Sequence, residues 1–165
     1  MEIRVRDTGA VMYEDEFRRL HTGLGLPKVL TEAGLNDWGA DIVFEGPQAS
    51  GGTVYQYSQR VGVEQLDGKW YTKYILGPVF TDTLATEFQP AKTAAENEAE
   101  YKARKDAEQA ASVRTQRTEK LSDSDWTQIA DSTADKAAWA TYRQALRDIT
   151  GQAGFPWTIT WPESP

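Results

Sequence analysis

A long alanine-rich segment without a helix breaker constrains the fold of this chain more than any other feature. Residues 91–118 contain neither glycine nor proline and consist largely of alanine and charged residues. These residue types favour helix, and roughly 28 of them would form a helix about 42 Å long at 1.5 Å per residue. We therefore predict a central helix from Ala91 to about Thr118, which divides the chain into two end parts.

The apolar stripe of this helix is thin and ends in a single valine, Val113. Its other members are alanines: Ala95, Ala99, Ala103, Ala107 and Ala110. The helix either stands alone in solvent or packs closely against a copy of itself, because alanine lets helix axes approach each other. A long helix without a large apolar face is only marginally stable by itself, which favours the second interpretation. We therefore predict a homo-oligomer with these alanines as its seam.

The N-terminal part, residues 1–90, is predicted to be a β-rich attachment module. Its strongest signal is Asp67-Gly68, a type I′ turn sequence between strand-like residues 54–66 and 69–76. Pairing Leu66 with Lys69 puts Val63 opposite Thr72 and Val61 opposite Tyr74. The predicted inner face of this hairpin contains Val61, Val63, Trp70 and Tyr74, and the predicted outer face contains Arg60, Glu64, Tyr71 and Lys73.

Shorter patterns complete this module. Ile3 and Val5 alternate with charged residues, which predicts a first strand. Residues 13–20 fit two helical turns with Phe17 and Leu20 on one face. Thr31 is a candidate N-cap for a short helix that ends near Gly39, and residues 42–44 fit a buried strand.

The C-terminal part, residues 121–165, contains four of the six tryptophans. Ser132 or Thr133 could cap a helix from Ala134 to Ile149, whose apolar stripe contains Trp139, Tyr142, Leu146 and Ile149. Large apolar residues then alternate with proline and threonine, which fits an edge strand or an extended aromatic arm on a partner. The whole chain is thus predicted to be α+β, with a β-rich module at 1–90, the long helix at 91–120 and a helix-plus-arm module at 121–165.

Composition excludes several classes of function. The net charge of −7 disfavours binding to nucleic acid phosphates. The chain has no cysteine and only one histidine, His21, so we predict no catalytic residue, no metal site and no cofactor. No apolar run is long enough for a signal peptide or a membrane span.

Three separated blocks in the C-terminal part carry a family resemblance. They are Ser124-Asp125-Trp126-Thr127, then residues 142–148 (YRQALRD), then Gly154-Phe155-Pro156-Trp157 with Trp161-Pro162. In this order they resemble the bacteriophage tail assembly chaperone family over about residues 122–162, a quarter of the chain. The resemblance implies a small, non-enzymatic viral protein that helps to build tails or tail fibres.

The resemblance also implies partners and a place of action. The expected partner is a phage tail-fibre or baseplate protein, met in the host cytoplasm during assembly, with the virion tail as a second location. A fibre setting favours a trimer through the alanine seam. The candidate protein-binding residues are Trp126, Trp139, Tyr142, Arg143, Leu146, Arg147, Phe155, Trp157 and Trp161, because tryptophan dominates many binding interfaces. These aromatic residues can equally pack against their own chain.

Two other functions remain open at this point. The protein could be a permanent structural component of the virion, such as a fibre or baseplate connector, because residues 1–90 lie outside the resemblance. A host-glycan-binding domain at the fibre tip is a third class, in which surface tryptophan and tyrosine would contact sugar.

Overall fold

The computed structural model describes residues 1–165, which form two compact units, residues 1–79 and 80–165. The first unit contains a five-stranded sheet and two short helices, and the second contains two longer helices. The predicted α+β class is confirmed. No helix combines the length and the apolar character that crossing a membrane would require.

The sheet of the first unit has the strand order β2-β1-β3-β5-β4. Its strands are β1 (Glu2–Val5), β2 (Val11–Tyr13), β3 (Ala40–Phe44), β4 (Tyr57–Leu66) and β5 (Lys69–Gly77). Neighbouring strands are antiparallel except for β3 and β5, which are parallel. The predicted strands near residues 2–6 and 42–44 are therefore confirmed.

Two helices accompany the sheet, α1 (Glu14–Leu20) and α2 (Glu32–Asn36). The Thr31 side chain accepts a hydrogen bond from the Gly34 N–H, as predicted for an N-cap. Phe17 and Leu35 are fully buried against Ile3 of β1. Leu20, which was predicted to share a helix face with Phe17, is 62% exposed at the end of α1.

The predicted hairpin is present with its predicted turn. Asp67 and Gly68 have φ values of 47° and 79°, which a type I′ turn requires, and Leu66 pairs with Lys69. Val63 also lies opposite Thr72 as expected. The first strand begins at Tyr57 rather than at residue 54.

The rest of the predicted strand pairing is wrong, because β4 contains a β-bulge. The pairing shifts between Arg60 and Gly62, so that Arg60 rather than Val61 lies opposite Tyr74. Gly62 has a φ of 138°, a conformation that a side chain would disfavour, and Val61 is 46% exposed. The bulge moves Arg60 to the Tyr74 face of the sheet, where its guanidinium binds the Glu2 carboxylate at 2.6 and 2.7 Å.

The long helix of the second unit, α3, spans Ala94–Asp123. The central helix is confirmed, although it starts three residues later and ends five residues later than predicted. Thr93 and Glu96 form a capping box at its N-terminus, and Asp82 accepts the Ala94 N–H. The preceding residues 80–93 fold back along this end of the helix, with Phe80 against Tyr101.

The second helix of this unit, α4, spans Lys136–Asp148. Its N-cap is Asp135, which accepts the N–H groups of Ala137 and Ala138, so the prediction of Ser132 or Thr133 is wrong. Two 3₁₀ turns flank α4, at Asp125–Gln128 and Ile149–Gly151.

The aromatic residues after α4 do not form the predicted strand. Residues 154–158 form hydrogen-bonded turns, with Trp157 and Thr158 both donating to the Gly154 carbonyl. The segment then packs against its own chain. Its contributors to the core of the second unit are Phe155, Ile159 and Trp161, and the buried residues they cover are Val113, Tyr142, Leu146 and Ile149. The apolar face of the arm therefore covers the two helices of the same unit.

Candidate protein-binding surface

Arg143 holds α4 to the C-terminal end of α3. Its side chain is nearly buried, and one guanidinium nitrogen donates to the Leu121 carbonyl at 2.6 Å and to the Ser124 hydroxyl at 2.7 Å. The other nitrogen donates to the Asp125 carboxylate at 2.7 Å. The last carbonyls of a helix have no partner within the helix, so a buried arginine is well suited to this position.

Hydroxyl groups then hold the 3₁₀ turn in place. The Ser124 hydroxyl donates to the Lys120 and Leu121 carbonyls, and the fully buried Thr127 donates to the Ser124 carbonyl at 2.7 Å. These bonds use the short polar side chains as local backbone partners. They fix the orientation of the turn that carries Trp126.

Two large apolar side chains on this segment face solvent. Trp126 and Ile129 are each 54% exposed, and we call them the Trp126–Ile129 patch. Trp126 packs edge-on against Trp139 at 5.9 Å, and Trp139 packs edge-on against the buried Tyr142 at 5.5 Å. A row of aromatic rings thus runs from the core of the unit to its surface, which holds Trp126 in one position.

The predicted binding residues of α4 divide between the interior and the surface. Tyr142, Arg143 and Leu146 are buried, so their side chains serve the fold of this unit. Trp139 is half-buried, and Arg147 is exposed on the helix surface. Of this group, only Trp139 and Arg147 offer side-chain surface to a partner.

The predicted binding residues of the C-terminal arm are half-buried on their own chain. The Trp157 indole N–H donates to the Asp106 carboxylate of α3 at 2.6 Å. The Arg114 guanidinium lies 5.5 Å from the centre of the Phe155 ring, and the Lys120 ammonium lies 5.5 Å from the Trp161 ring. Both apolar and polar contacts therefore hold the arm against α3.

The predicted alanine seam is only partly at the surface. Ala110 is 7% exposed, and Val113, which continues the stripe, belongs to the core of the second unit. The exposed members are Ala95, Ala99, Ala103 and Ala107. A seam between copies stays a prediction, and it concerns these four residues.

Sequence reasoning missed Ile129 and the acidic surroundings of the patch. Residues 121–135 contain no lysine or arginine but four aspartates: Asp123, Asp125, Asp131 and Asp135. Ile129 has no helical or strand periodicity to mark it. A large apolar residue inside an acidic connecting segment was the available signal.

The first unit has an open cleft of about 570 Å³ beside β3 and the hairpin turn. Arg6 and Asp41 line it and bind each other, with nitrogen–oxygen distances of 2.6 and 2.9 Å. Trp70 also lines it, and the Arg4 guanidinium lies 3.9 Å from the centre of that ring. Arg6, Asp41 and Trp70 therefore already have partners within the chain. Across the chain, no three or more histidine, aspartate or glutamate side chains are grouped so that they could hold a metal ion.

Comparison with known proteins gives one match, in the C-terminal part. Residues 110–165 match the family model described as phage tail assembly chaperone protein. No match was found among curated proteins or among solved structures. The matched segment starts at Ala110, the first buried residue of α3, and includes the Arg143 contacts, the Trp126–Ile129 patch and the aromatic arm. The C-terminal third of this chain is therefore similar to the phage tail assembly chaperone proteins.

Proposed function

We propose that this chain is a non-enzymatic phage protein that binds another tail protein while the tail is assembled. One observation carries the proposal: the segment that matches the family coincides with the elements that build and display the Trp126–Ile129 patch. Most large apolar side chains of the matched segment pack in the core of the second unit, whereas Trp126 and Ile129 are exposed. The host cytoplasm is the place of action that this role implies.

The proposed mechanism is temporary cover of an apolar surface on the partner. Trp126 would be the central contact, because tryptophan in an interface contributes more binding energy than most residues. Its position is already set by Trp139 and by the hydroxyl bonds of Ser124 and Thr127. A side chain that is held in place before binding loses little conformational entropy on binding. Arg143 positions the patch, and Trp139 extends the surface.

A permanent structural role in the virion is the second candidate. The observation that favours it is the first unit, which lies outside the family match and has its own core of Ile3, Phe17 and Leu35. Such a unit could attach the protein to a fibre or a baseplate.

Co-expression with individual tail-fibre and baseplate proteins of the same phage tests the proposal. The partner should be soluble and should co-purify with the wild-type chain, and Trp126→Ala should reduce this yield at least several-fold. Phe88→Ala is the matched control, because Phe88 is an exposed aromatic residue outside the family match. Equal yields with both variants would contradict a role for the patch.

Mass spectrometry of purified virions separates the two candidates. A temporary assembly factor should be absent from the particles or far below one copy per tail. A stoichiometric presence would favour the structural role instead.

A further inference from the structure

We propose that the Trp126–Ile129 patch binds a basic amphipathic segment of its partner, with lysine or arginine beside apolar anchor residues. This inference rests on the proposed function and names the chemistry of the partner. Three observations lead to it: the apolar centre of the surface, the excess of aspartate over lysine around it, and a small pocket beside it.

The apolar centre is small and fixed. Trp126 lies on the 3₁₀ turn, Ile129 directly follows the turn, and Thr127 between them is fully buried. A surface of two exposed side chains matches one face of a helix or a short extended segment better than a broad flat interface. The occupant is therefore a linear segment with one or two large apolar residues.

The charge around this centre is negative. Asp123 and Asp131 make no ion pair within the chain. Asp125 binds Arg143, but its side chain is still 66% exposed. Two lysines lie at the ends of this segment, where Lys136 donates to the Ala130 carbonyl and Lys120 lies over the Trp161 ring, and the four aspartates of residues 121–135 outnumber them.

This charge distribution selects the partner by complementarity. A segment that carries lysine or arginine would be attracted to Asp123 and Asp131, whereas an acidic segment would be repelled from the same surface. Nucleic acid is disfavoured for the same reason, because its phosphates would meet these aspartates. Asp123 and Asp131 therefore favour apolar segments that carry lysine or arginine over acidic segments at Trp126.

A pocket of about 240 Å³ adjoins the patch through Trp139, which lines the pocket and packs against Trp126. Its other lining residues are Lys120, Asp123, Ser124, Tyr142 and Ser164. The lining thus contains two aromatic residues, Trp139 and Tyr142, and one residue of each charge, Asp123 and Lys120. A neighbouring side chain of the bound segment could enter it.

Two synthetic helical peptides test the inference on the full-length chain. Both carry the same leucine face, and they differ only in having lysine or glutamate on the polar face. Isothermal titration calorimetry should show the lysine peptide binding at least about tenfold more tightly, and added salt should weaken it because exposed charges are screened. Equal affinity for the two peptides, or binding to neither, would overturn the inference.

Matched double variants locate the effect. Asp123→Asn with Asp131→Asn should weaken the lysine peptide several-fold, and Trp126→Ala should remove most of the binding. Glu87→Gln with Glu119→Gln removes the same two charges from exposed positions outside residues 121–135 and should leave the affinity unchanged. An equal loss in both double variants would show that only net charge matters, which also overturns the inference.

The outcomes distinguish this inference from the proposed function. If neither peptide binds but Trp126→Ala still reduces the yield of a co-expressed tail protein, the basic segment is wrong and the proposed function stands. If Trp126→Ala changes neither the peptide affinity nor the yield of the co-expressed tail protein, the inference and the proposed function are both wrong. If light scattering shows that the wild-type protein is a dimer and that Trp126→Ala is a monomer, the patch binds a second copy of this chain and the inference is overturned.

Discussion

The two units place their charged side chains differently, although each contains ion pairs. In the first unit, charges on the sheet bind each other, as Glu2 does with Arg60 and Arg6 does with Asp41. In the second unit, Arg143 is buried as part of the fold, and Asp123 and Asp131 have no ion pair. An apolar patch lies beside these aspartates. The proposed binding surface therefore lies in the second unit, where these aspartates and the patch are both exposed.

The two units also build their cores from different contacts. The first depends on strand pairing between residues far apart in the chain, such as Glu2 with Val43 and Val43 with Trp70. The second depends on α3, α4 and an aromatic arm that covers both. The predictions below test these differences, from the largest expected effect to the smallest.

Leu146→Ala should cause the largest loss of stability. Leu146 is fully buried between the arm and the helices, and shortening a buried leucine typically costs about 2–5 kcal/mol. Urea unfolding followed by tryptophan fluorescence measures this change. Leu84→Ala is the control, since Leu84 is 88% exposed and should change the unfolding free energy by less than about 0.5 kcal/mol. A similar small effect at Leu146 would contradict the proposed core.

Arg143→Met tests whether the buried arginine serves the fold. It removes three hydrogen bonds of a nearly buried side chain, to the Leu121 carbonyl, the Ser124 hydroxyl and the Asp125 carboxylate. We expect the unfolding free energy to fall by about 2–3 kcal/mol. Arg147→Met removes the same charge from an exposed position of α4 and should cost less than about 0.5 kcal/mol. Equal effects in urea unfolding would show that the contacts of Arg143 contribute little.

Gly68→Val tests the local turn on which the hairpin of the first unit depends. Gly68 has a φ of 79°, and a β-branched residue in this conformation should cost about 1–2 kcal/mol. Asp67→Asn is the control, because asparagine tolerates positive φ and Asp67 has a φ of 47°. Thermal melting by circular dichroism should show a lower Tm for the valine variant alone.

The Glu2–Arg60 pair should make the first unit sensitive to acid. The hydrogen bonds from Arg60 lower the pKa of Glu2. Its contribution is thus fully present above the unfolded-state pKa of about 4.3 and is lost as the pH falls through the lower folded-state value. At neutral pH, Glu2→Gln should cost up to about 1 kcal/mol, and this difference should shrink as the pH is lowered below 4.3. A difference independent of pH in urea unfolding would mean that the ion pair is not its source.

Ala103→Glu should change assembly with little change in stability, because Ala103 is exposed on α3. If copies pair through the exposed alanines, like charges would meet, and light scattering should show a mass closer to that of a monomer. Gln116→Glu adds the same charge on a different face of the helix and should not change the mass. The seam prediction fails if the wild-type chain is already monomeric at micromolar concentration.

Local features were predictable because a few neighbouring residues determine them. Asp67-Gly68 is a turn sequence by itself, and Thr31 is a typical N-cap residue. The helix propensity of residues 91–118 was sufficient to predict the central helix. The family resemblance was also visible, since its motifs are short and ordered along the chain. The bulge near Gly62 was missed, although a glycine inside a strand is a known signal for one.

The sequence by itself determined the α+β class, the hairpin turn, the central helix and the similarity of residues 110–165 to an assembly chaperone family. Only the tertiary structure decided which aromatic and charged residues stay outside. Trp126 and Tyr142 were both candidate binding residues, yet one is 54% exposed and the other 8%. Arg143 and Arg147 lie four residues apart on one helix, but only Arg143 meets the end of α3. Burial depends on what distant segments bring to a position, and local propensity carries no information about those segments.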